Sequence, residues 1–180
     1  MKKITIAIDG FSSTGKSTLA KQLAKHLGYV YVDTGAMYCA VTLFAMQNNC
    51  IGADFLDKGK LVNSLPSIKL SFKFNPELGF AEMYLNDVNV ETEIRTLEVS
   101  NFVSAIAAIS EVRSKLVEQQ QEMGAAKGIV MDGRDIGTVV FPNAELKIFM
   151  TAGADTRAQR RFDELQAKGD SVSYEEVLKN

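Results

Sequence analysis

No stretch of this chain constrains its fold more than Gly10-Phe11-Ser12-Ser13-Thr14-Gly15-Lys16-Ser17. It satisfies G-x-x-x-x-G-K-[ST] at every fixed position, and the flanking sequence supplies the context the pattern needs. Before it, Ile4-Thr5-Ile6-Ala7-Ile8 is a short β-branched run closed by Asp9-Gly10, which reads as a buried strand. After it, Leu19, Ala20, Leu23, Ala24 and Leu27 recur at helical spacing, with Lys21 and Lys25 off that face and Gly28 as the stop. A strand turning through glycines into a helix start is a phosphate cradle. Glycines let successive N–H groups converge on phosphate oxygens, and the helix start adds unpaired donors and its positive dipole end. Lys16 is spaced to bridge the β- and γ-phosphates, and the Ser17 hydroxyl to ligate Mg2+. An ordinary glycine-rich turn would require neither residue. Residues Gly10, Phe11, Ser12, Ser13, Thr14, Gly15, Lys16, Ser17 and Thr18 therefore read as a nucleoside-triphosphate site.

The rest of the chain extends this beginning into an α/β protein. Residues 29–32 read as a second strand ending at Asp33, and 35–47 as a helix. Strand, helix, strand, helix implies right-handed crossovers and a parallel sheet with helices on both faces. Between Gly52 and Glu91 the rhythm breaks. A short helical pattern over 54–65 stops at Pro66, and 68–74 then alternates apolar and polar. A turn at 75–79, a return over 80–85, a turn at Asn86-Asp87 and a run over 88–90 complete an antiparallel meander. Helices follow over 92–108 and 111–123, then a strand over 129–131 ending in Asp132-Gly133-Arg134-Asp135. A strand over 146–150, a helix over 154–168 and a helical pattern over 174–180 close the chain. The expected organisation is one domain over 1–180, with its core in 1–51 and 92–180 and a small insert over 52–91.

Composition narrows the function. Lys+Arg is 20 against Asp+Glu 22, so the basic excess of a protein that neutralises a nucleic-acid backbone is missing. Cys39, Cys50 and the single His26 make neither a CxxC pair nor a zinc set. Apolar runs fall far short of the ~20 residues of a membrane span, and Asp9-Gly10 follows Met1-Lys2-Lys3 too closely for a signal-peptide core. The expectation is a monomer of the reducing cytoplasm with small-molecule partners and no nucleic acid or membrane. A guanine-nucleotide switch would carry D-x-x-G and N-K-x-D, and neither occurs. A large mechanical ATPase would need more chain. A small kinase fits best.

Arginine, whose planar fork suits phosphate and carboxylate, occurs six times and never before Arg95. Asp33-Thr34-Gly35-Ala36-Met37-Tyr38 lies at the carboxyl end of the second strand, the edge where parallel sheets bind ligands. This hexapeptide resembles the acceptor-binding motif of bacterial cytidylate kinases, which transfer phosphate from ATP to CMP or dCMP. Ile94-Arg95-Thr96-x-Glu98-Val99-Ser100-Asn101, Val112-Arg113 and Asp132-Gly133-Arg134-Asp135-Ile136-Gly137-Thr138-Val139-Val140-Phe141-Pro142 resemble that family's middle signatures. Arg157-Ala158-x-Arg160-Arg161 is similar to the helix leading into its ATP lid. The matches run in order from residue 4 to about 178.

The resemblance implies a nucleoside monophosphate kinase on a P-loop fold, with ATP and Mg2+ in the cradle and the insert over the acceptor. Ser104, Arg113 and Asp135 occupy the positions of the cytosine readers. A carboxylate accepts from the cytosine 4-amino group, whereas uracil presents a repelled carbonyl there. Arg134 matches the arginine on the acceptor phosphate and joins Lys16 in neutralising charge during transfer. Thr34 and Tyr38 match residues lining the ribose and phosphate side. Asp132 ends an apolar strand, fit either to hold Mg2+ through water or to cap a turn. Arg157 and Arg161 share a helix face for ATP, the alternative being a solvated face paired with Asp163 and Glu164. Arg160 points elsewhere on that helix and reads as structural. Arg95 stands open between an ion pair with its neighbouring glutamates and a phosphate contact. His26 reads as solvated and Cys50 as loop or core.

Two departures from the pattern stand out. Cys39 replaces an arginine that in the family helps bind the acceptor phosphate, so acceptor binding should be weakened. The family also continues for roughly forty to fifty residues more, still within one domain's size. The expectation is a truncated chain, without the lid and last elements, that binds nucleotide but turns over poorly. The alternatives are a P-loop kinase for another small acceptor and a non-catalytic nucleotide-binding module.

Overall fold

The computed structural model describes residues 2–167, 169 and 172–179. The chain begins with β1 (Thr5–Gly10), α1 (Lys16–Leu27), β2 (Val30–Asp33) and α2 (Thr34–Gln47). An insert follows, comprising β3 (Ile51–Gly52), β4 (Phe55–Leu56), α3 (Lys58–Ser64), β5 (Leu70–Asn75), β6 (Phe80–Leu85) and β7 (Val88–Asn89). The chain then returns through α4 (Leu97–Ala107), α5 (Ser110–Gly124), β8 (Ile129–Gly133), β9 (Leu146–Met150), α6 (Ala154–Ala167) and α7 (Tyr174–Lys179).

Four strands form one parallel sheet in the order β2-β8-β1-β9. Period-two alternation sorts their side chains onto two faces. Ile6, Ile8, Tyr31 and Val130 pack with Ala20 and Ala24 of α1. Ala7, Val32, Ile129 and Met131 pack on the opposite side with Ala36, Met37 and Ala40 of α2 and with α4 and α5. Both faces are covered by helices, as the strand–helix alternation implies, and each large aliphatic side chain so buried contributes ~1.5–3 kcal/mol. At its end α1 closes on Gly28 (φ +65), and the Tyr29 N–H returns to the Ala24 carbonyl at 2.9 Å. Asp33 caps α2 by accepting from the Ala36 N–H at 3.0 Å.

The insert carries the expected antiparallel sheet, β5-β6-β7, with Leu70 opposite Leu85 and Asn75 opposite Phe80. Leu70, Met83 and Leu85 point inward to the core shared with α2. The run over 88–90 is a strand only at Val88 and Asn89, with the Val90 N–H still donating to the Met83 carbonyl at 3.0 Å.

Other expectations need correction. The helix over 54–65 is shorter: Phe55–Leu56 pair with Ile51–Gly52, and α3 starts at Lys58 because Asp57 caps it through the Lys60 N–H at 2.9 Å. Gly52 permits that hairpin, since a Cβ there would lie 2.5 Å from the Phe55 ring. The helix over 92–108 breaks at Thr96, which is extended (ψ 155), leaving a single turn at 93–95 before α4. An additional element lies between β8 and β9. Residues 136–140 form a wide helical turn, in which the Phe141 N–H reaches the Ile136 carbonyl at 2.7 Å. Lys168 and Asn180, expected as the last residues of two helices, lie outside the described residues. Among the described residues no helix is long and apolar enough to cross a membrane.

Candidate active site

β1 delivers the cradle. Gly10 has φ +149, and a Cβ there would sit 2.3 Å from the Met150 carbonyl oxygen of β9, so only glycine fits. Gly15 (φ +94) turns the chain into α1. The Thr14 side chain is buried and donates to the Phe11 carbonyl at 2.8 Å, so this residue offers the cradle its backbone. Lys16 Nζ lies folded across its own loop and donates to the same carbonyl at 2.6 Å. Burial lowers the Lys16 pKa, and Arg134 adds to that against the opposing pull of Asp132 and Asp33. Arg134 itself is exposed, and among the described residues it has no hydrogen-bond or ion-pair partner.

Asp132 closes the floor beneath the cradle. Its Oδ2 accepts from Ser17 Oγ and its Oδ1 from the Tyr31 hydroxyl, both at 2.9 Å. Thr34 Oγ1 donates to the Asp132 carbonyl at 2.7 Å, and Gly133 leaves that hydroxyl its room, because a Cβ there would lie 2.5 Å away. The Asp132 carboxylate therefore caps no turn. Burial, reinforced by Asp33, pushes its pKa up to about 6, against the two hydroxyl bonds and Lys16. Ser17 and Asp132 give an all-oxygen donor pair suited to a hard cation. Among the described residues no group of three or more His, Cys, Asp or Glu side chains is arranged to hold a metal ion by itself, so Ser17 and Asp132 are the donors available here. That set fits Mg2+, which keeps most of its water and binds through one or two side chains plus phosphate.

The acceptor side is charged. Arg95 resolves as an ion pair: Nη2 lies 2.9 Å from Asp33 Oδ2 and 2.8 Å from Glu91 Oε1. Glu91 Oε2 accepts from the Met83 N–H at 2.9 Å, so one guanidinium ties the end of β2 to the insert. Burial opposes its charge, but Asp33 and Glu91 outweigh burial and raise its pKa. The same charges surround Cys39, whose thiol burial pushes up to about 11, leaving it neutral. Arg113 Nη2 lies 2.5 Å from Asp135 Oδ2. Burial raises the Tyr38 phenol, with Arg113 and Asp135 acting on it in opposite senses, so the three share one locale. Ser104 belongs to α4. It has no hydrogen bond to either partner among the described residues, and it lines a cleft of about 880 Å³ with Ser12, Ser13, Arg157 and Arg161.

α6 brings Arg157 and Arg160 onto the cradle, and Arg161 lines the cleft beside it. The Arg157 guanidinium lies 5.3 Å from the Phe11 ring centroid, and Nε donates to the Ala152 carbonyl at 3.2 Å. Arg161 pairs with Glu164 at 3.0 Å, as the salt-bridged alternative has it, while Nη2 reaches Ser100 Oγ at 3.3 Å. Arg160 keeps the structural role expected of it but corrects the expected direction. Its Nη1 donates to the Ser13 carbonyl at 3.3 Å, so it braces the cradle rather than pointing elsewhere. The three-residue offset from Arg157 already placed the two on one face. Tyr31 and Asp9 were missed too. A carboxylate at the end of a buried strand needs a buried partner, which was the available signal for Asp9. His26 is exposed, and Cys50 is in the core.

A parallel sheet whose first strand turns through a glycine loop into a helix, with a lysine, a serine and a strand-end aspartate around that loop, defines a P-loop nucleotide-binding protein. Within that class the chain belongs to the cytidylate kinase family, whose match covers residues 6–180. It is similar to the cytidylate kinase of Flavobacterium johnsoniae, 80% identical over all of this chain and 78% of that protein. The cytidylate kinase of Flavobacterium psychrophilum is 73% identical over the whole chain and 80% of its own length. That of Bacteroides fragilis is 61% identical over the whole chain and 79% of its own length.

Proposed function

We infer that this chain transfers the γ-phosphoryl group of ATP to CMP or dCMP, giving CDP or dCDP for pyrimidine nucleotide metabolism. One observation carries the reading beyond the family: β8 and the two residues after it serve both halves of the site. Asp132 faces the cradle through Ser17, and Asp135, three residues on, faces Arg113.

The chemistry follows from these positions. Lys16 exchanges the Phe11 carbonyl for the β- and γ-phosphates. Gly10–Thr18 wrap the phosphates with backbone N–H groups, while Arg157 and Arg161 hold the ATP from α6. Ser17 and Asp132 would hold Mg2+, which would supply charge neutralisation to the ATP phosphates. Arg134, with no partner among the described residues, takes the acceptor phosphate, and Thr34 and Tyr38 line its ribose side. Asp135 and Arg113 read the cytosine edge, and Ser104 closes over it from α4. An acceptor phosphate oxygen then forms a bond to Pγ as the bond from Pγ to the β–γ bridging oxygen breaks. No side chain forms a covalent intermediate. Catalysis is positioning plus charge neutralisation by Lys16 and Arg134. The insert over 52–91 acts as the acceptor-binding part of one domain, and the protein works as a cytoplasmic monomer. ADP release with CMP, dCMP, UMP and AMP tests the reading. CMP or dCMP should be preferred, while preference for another acceptor, or nucleotide binding without acceptor-dependent release, would overturn it.

A further inference from the structure

We propose that Asp9 is a positioning residue, fixing the acceptor-reading segment against the phosphate cradle. The proposal rests on the reading that Arg134 and Asp135 hold the acceptor.

Asp9 is the penultimate residue of β1 and only 7% exposed. Its Oδ1 accepts from the Ile136 N–H at 2.7 Å and its Oδ2 from the Gly137 N–H at 2.8 Å. Those amides open the wide turn at 136–140 and directly follow Arg134 and Asp135. On the other side, the next residue is Gly10, the first of the cradle, lodged under the Met150 carbonyl. One carboxylate thus joins the beginning of the donor site to the end of the acceptor fork. The β1–β8 register, which sets Asp9 opposite Gly133, brings the two together. The fit is close: a Cβ on Gly137 would lie 3.2 Å from Asp9 Oδ2 and 3.2 Å from Lys147 Cδ. In-line transfer depends on the donor-to-acceptor distance, and small misplacements are costly to rate. A carboxylate serves here because it accepts at both oxygens. Asparagine would turn an N–H donor toward one of the two amides.

A role in stability alone predicts a different result from a positioning role. If Asp9 only caps the turn, Asp9→Asn lowers the melting temperature and leaves nucleotide preference unchanged. If it positions the fork, the variant loses CMP-over-UMP preference by about tenfold, the equivalent of one buried hydrogen bond, while ATP affinity stays within about threefold. The measurement is calorimetric binding of CMP, UMP and a non-hydrolysable ATP analogue to the full 180-residue chain. It needs no turnover. Gly137→Ala presses on the same carboxylate from the other side and supplies a second variant should Asp9→Asn fail to fold. It should lower the same preference, and the double variant should lose no more than the worse single one. Unchanged preference in a folded variant overturns the proposal, as does equal weakening of ATP and CMP. A wild-type chain that binds ATP but does not distinguish CMP from UMP instead overturns the parent reading, and this proposal with it.

Discussion

At the phosphate cradle, Asp9 and Asp132 are buried and turn both carboxylate oxygens to uncharged donors, two amides for one and two hydroxyls for the other. Across the site, Asp33 and Asp135 meet arginines nearer the surface. Buried hydrogen bonds to neutral groups resist salt, whereas exposed ion pairs are screened and contribute little. The donor half is therefore shaped before any nucleotide arrives. Apart from Arg134, the acceptor half holds charges that already have partners, Arg95 with Asp33 and Glu91 and Arg113 with Asp135, and binding must exchange them. Selectivity between bases belongs to that exchange, and the rate of transfer belongs to the fixed cradle.

The largest effect should come from the cradle. Lys16→Ala removes a cation from developing phosphate charge and should lower kcat by about 10²–10³-fold, measured as ADP release. Raising salt should not mimic it. Asp135→Asn tests the other half. It should cut CMP-over-UMP discrimination by about 1–3 kcal/mol in competitive binding and leave ATP affinity unchanged. Cys39→Arg sharpens the contrast by adding a fork to the acceptor side. It should lower the CMP KM by a few-fold, about the value of one charge-assisted hydrogen bond shared with solvent, and unchanged kinetics would refute a deficit at Cys39.

The smallest effect lies outside both halves. Lys127, together with the Thr5 N–H, holds the Glu145 carboxyl down to about 2. A depressed carboxylate stabilises the fold fully above its ordinary value of 4.5, and that stabilisation fades as pH falls through the folded value. The melting-temperature advantage of the wild type over Glu145→Gln should be constant at neutral pH and shrink between pH 4.5 and about 2. Neither nucleotide's binding should change.

How much of this was legible in the sequence follows the same division. The cradle was readable because its chemistry is local: glycines, lysine and serine act at fixed spacing along one strand–loop–helix unit. The two faces of the sheet were readable from period-two alternation in short strands. What escaped depends on contacts between distant residues. The break at Thr96 comes one residue after Arg95, which is tied to Asp33, 62 positions earlier. The wide turn at 136–140 is held open by Asp9, more than a hundred residues back in the chain. Arg160 reaches Ser13 across a comparable gap. Tyr31 was counted as strand filling, although its hydroxyl serves Asp132. Ser104, which resemblance sets with the cytosine readers, lines the cleft shared with Arg157 and Arg161.

In the arrangement we propose, a rigid donor cradle and an exchangeable acceptor fork face one another across the end of β8. Calorimetric titration with a bisubstrate analogue, adenosine joined to cytidine through a phosphate chain, tests it directly. The joined ligand should bind about 10²–10⁴-fold more tightly than ATP or CMP alone, because its second half binds within the same molecule, and the uridine analogue should lose most of that gain. An affinity no better than that of ATP alone, or equal gains for the cytidine and uridine compounds, would rule this arrangement out.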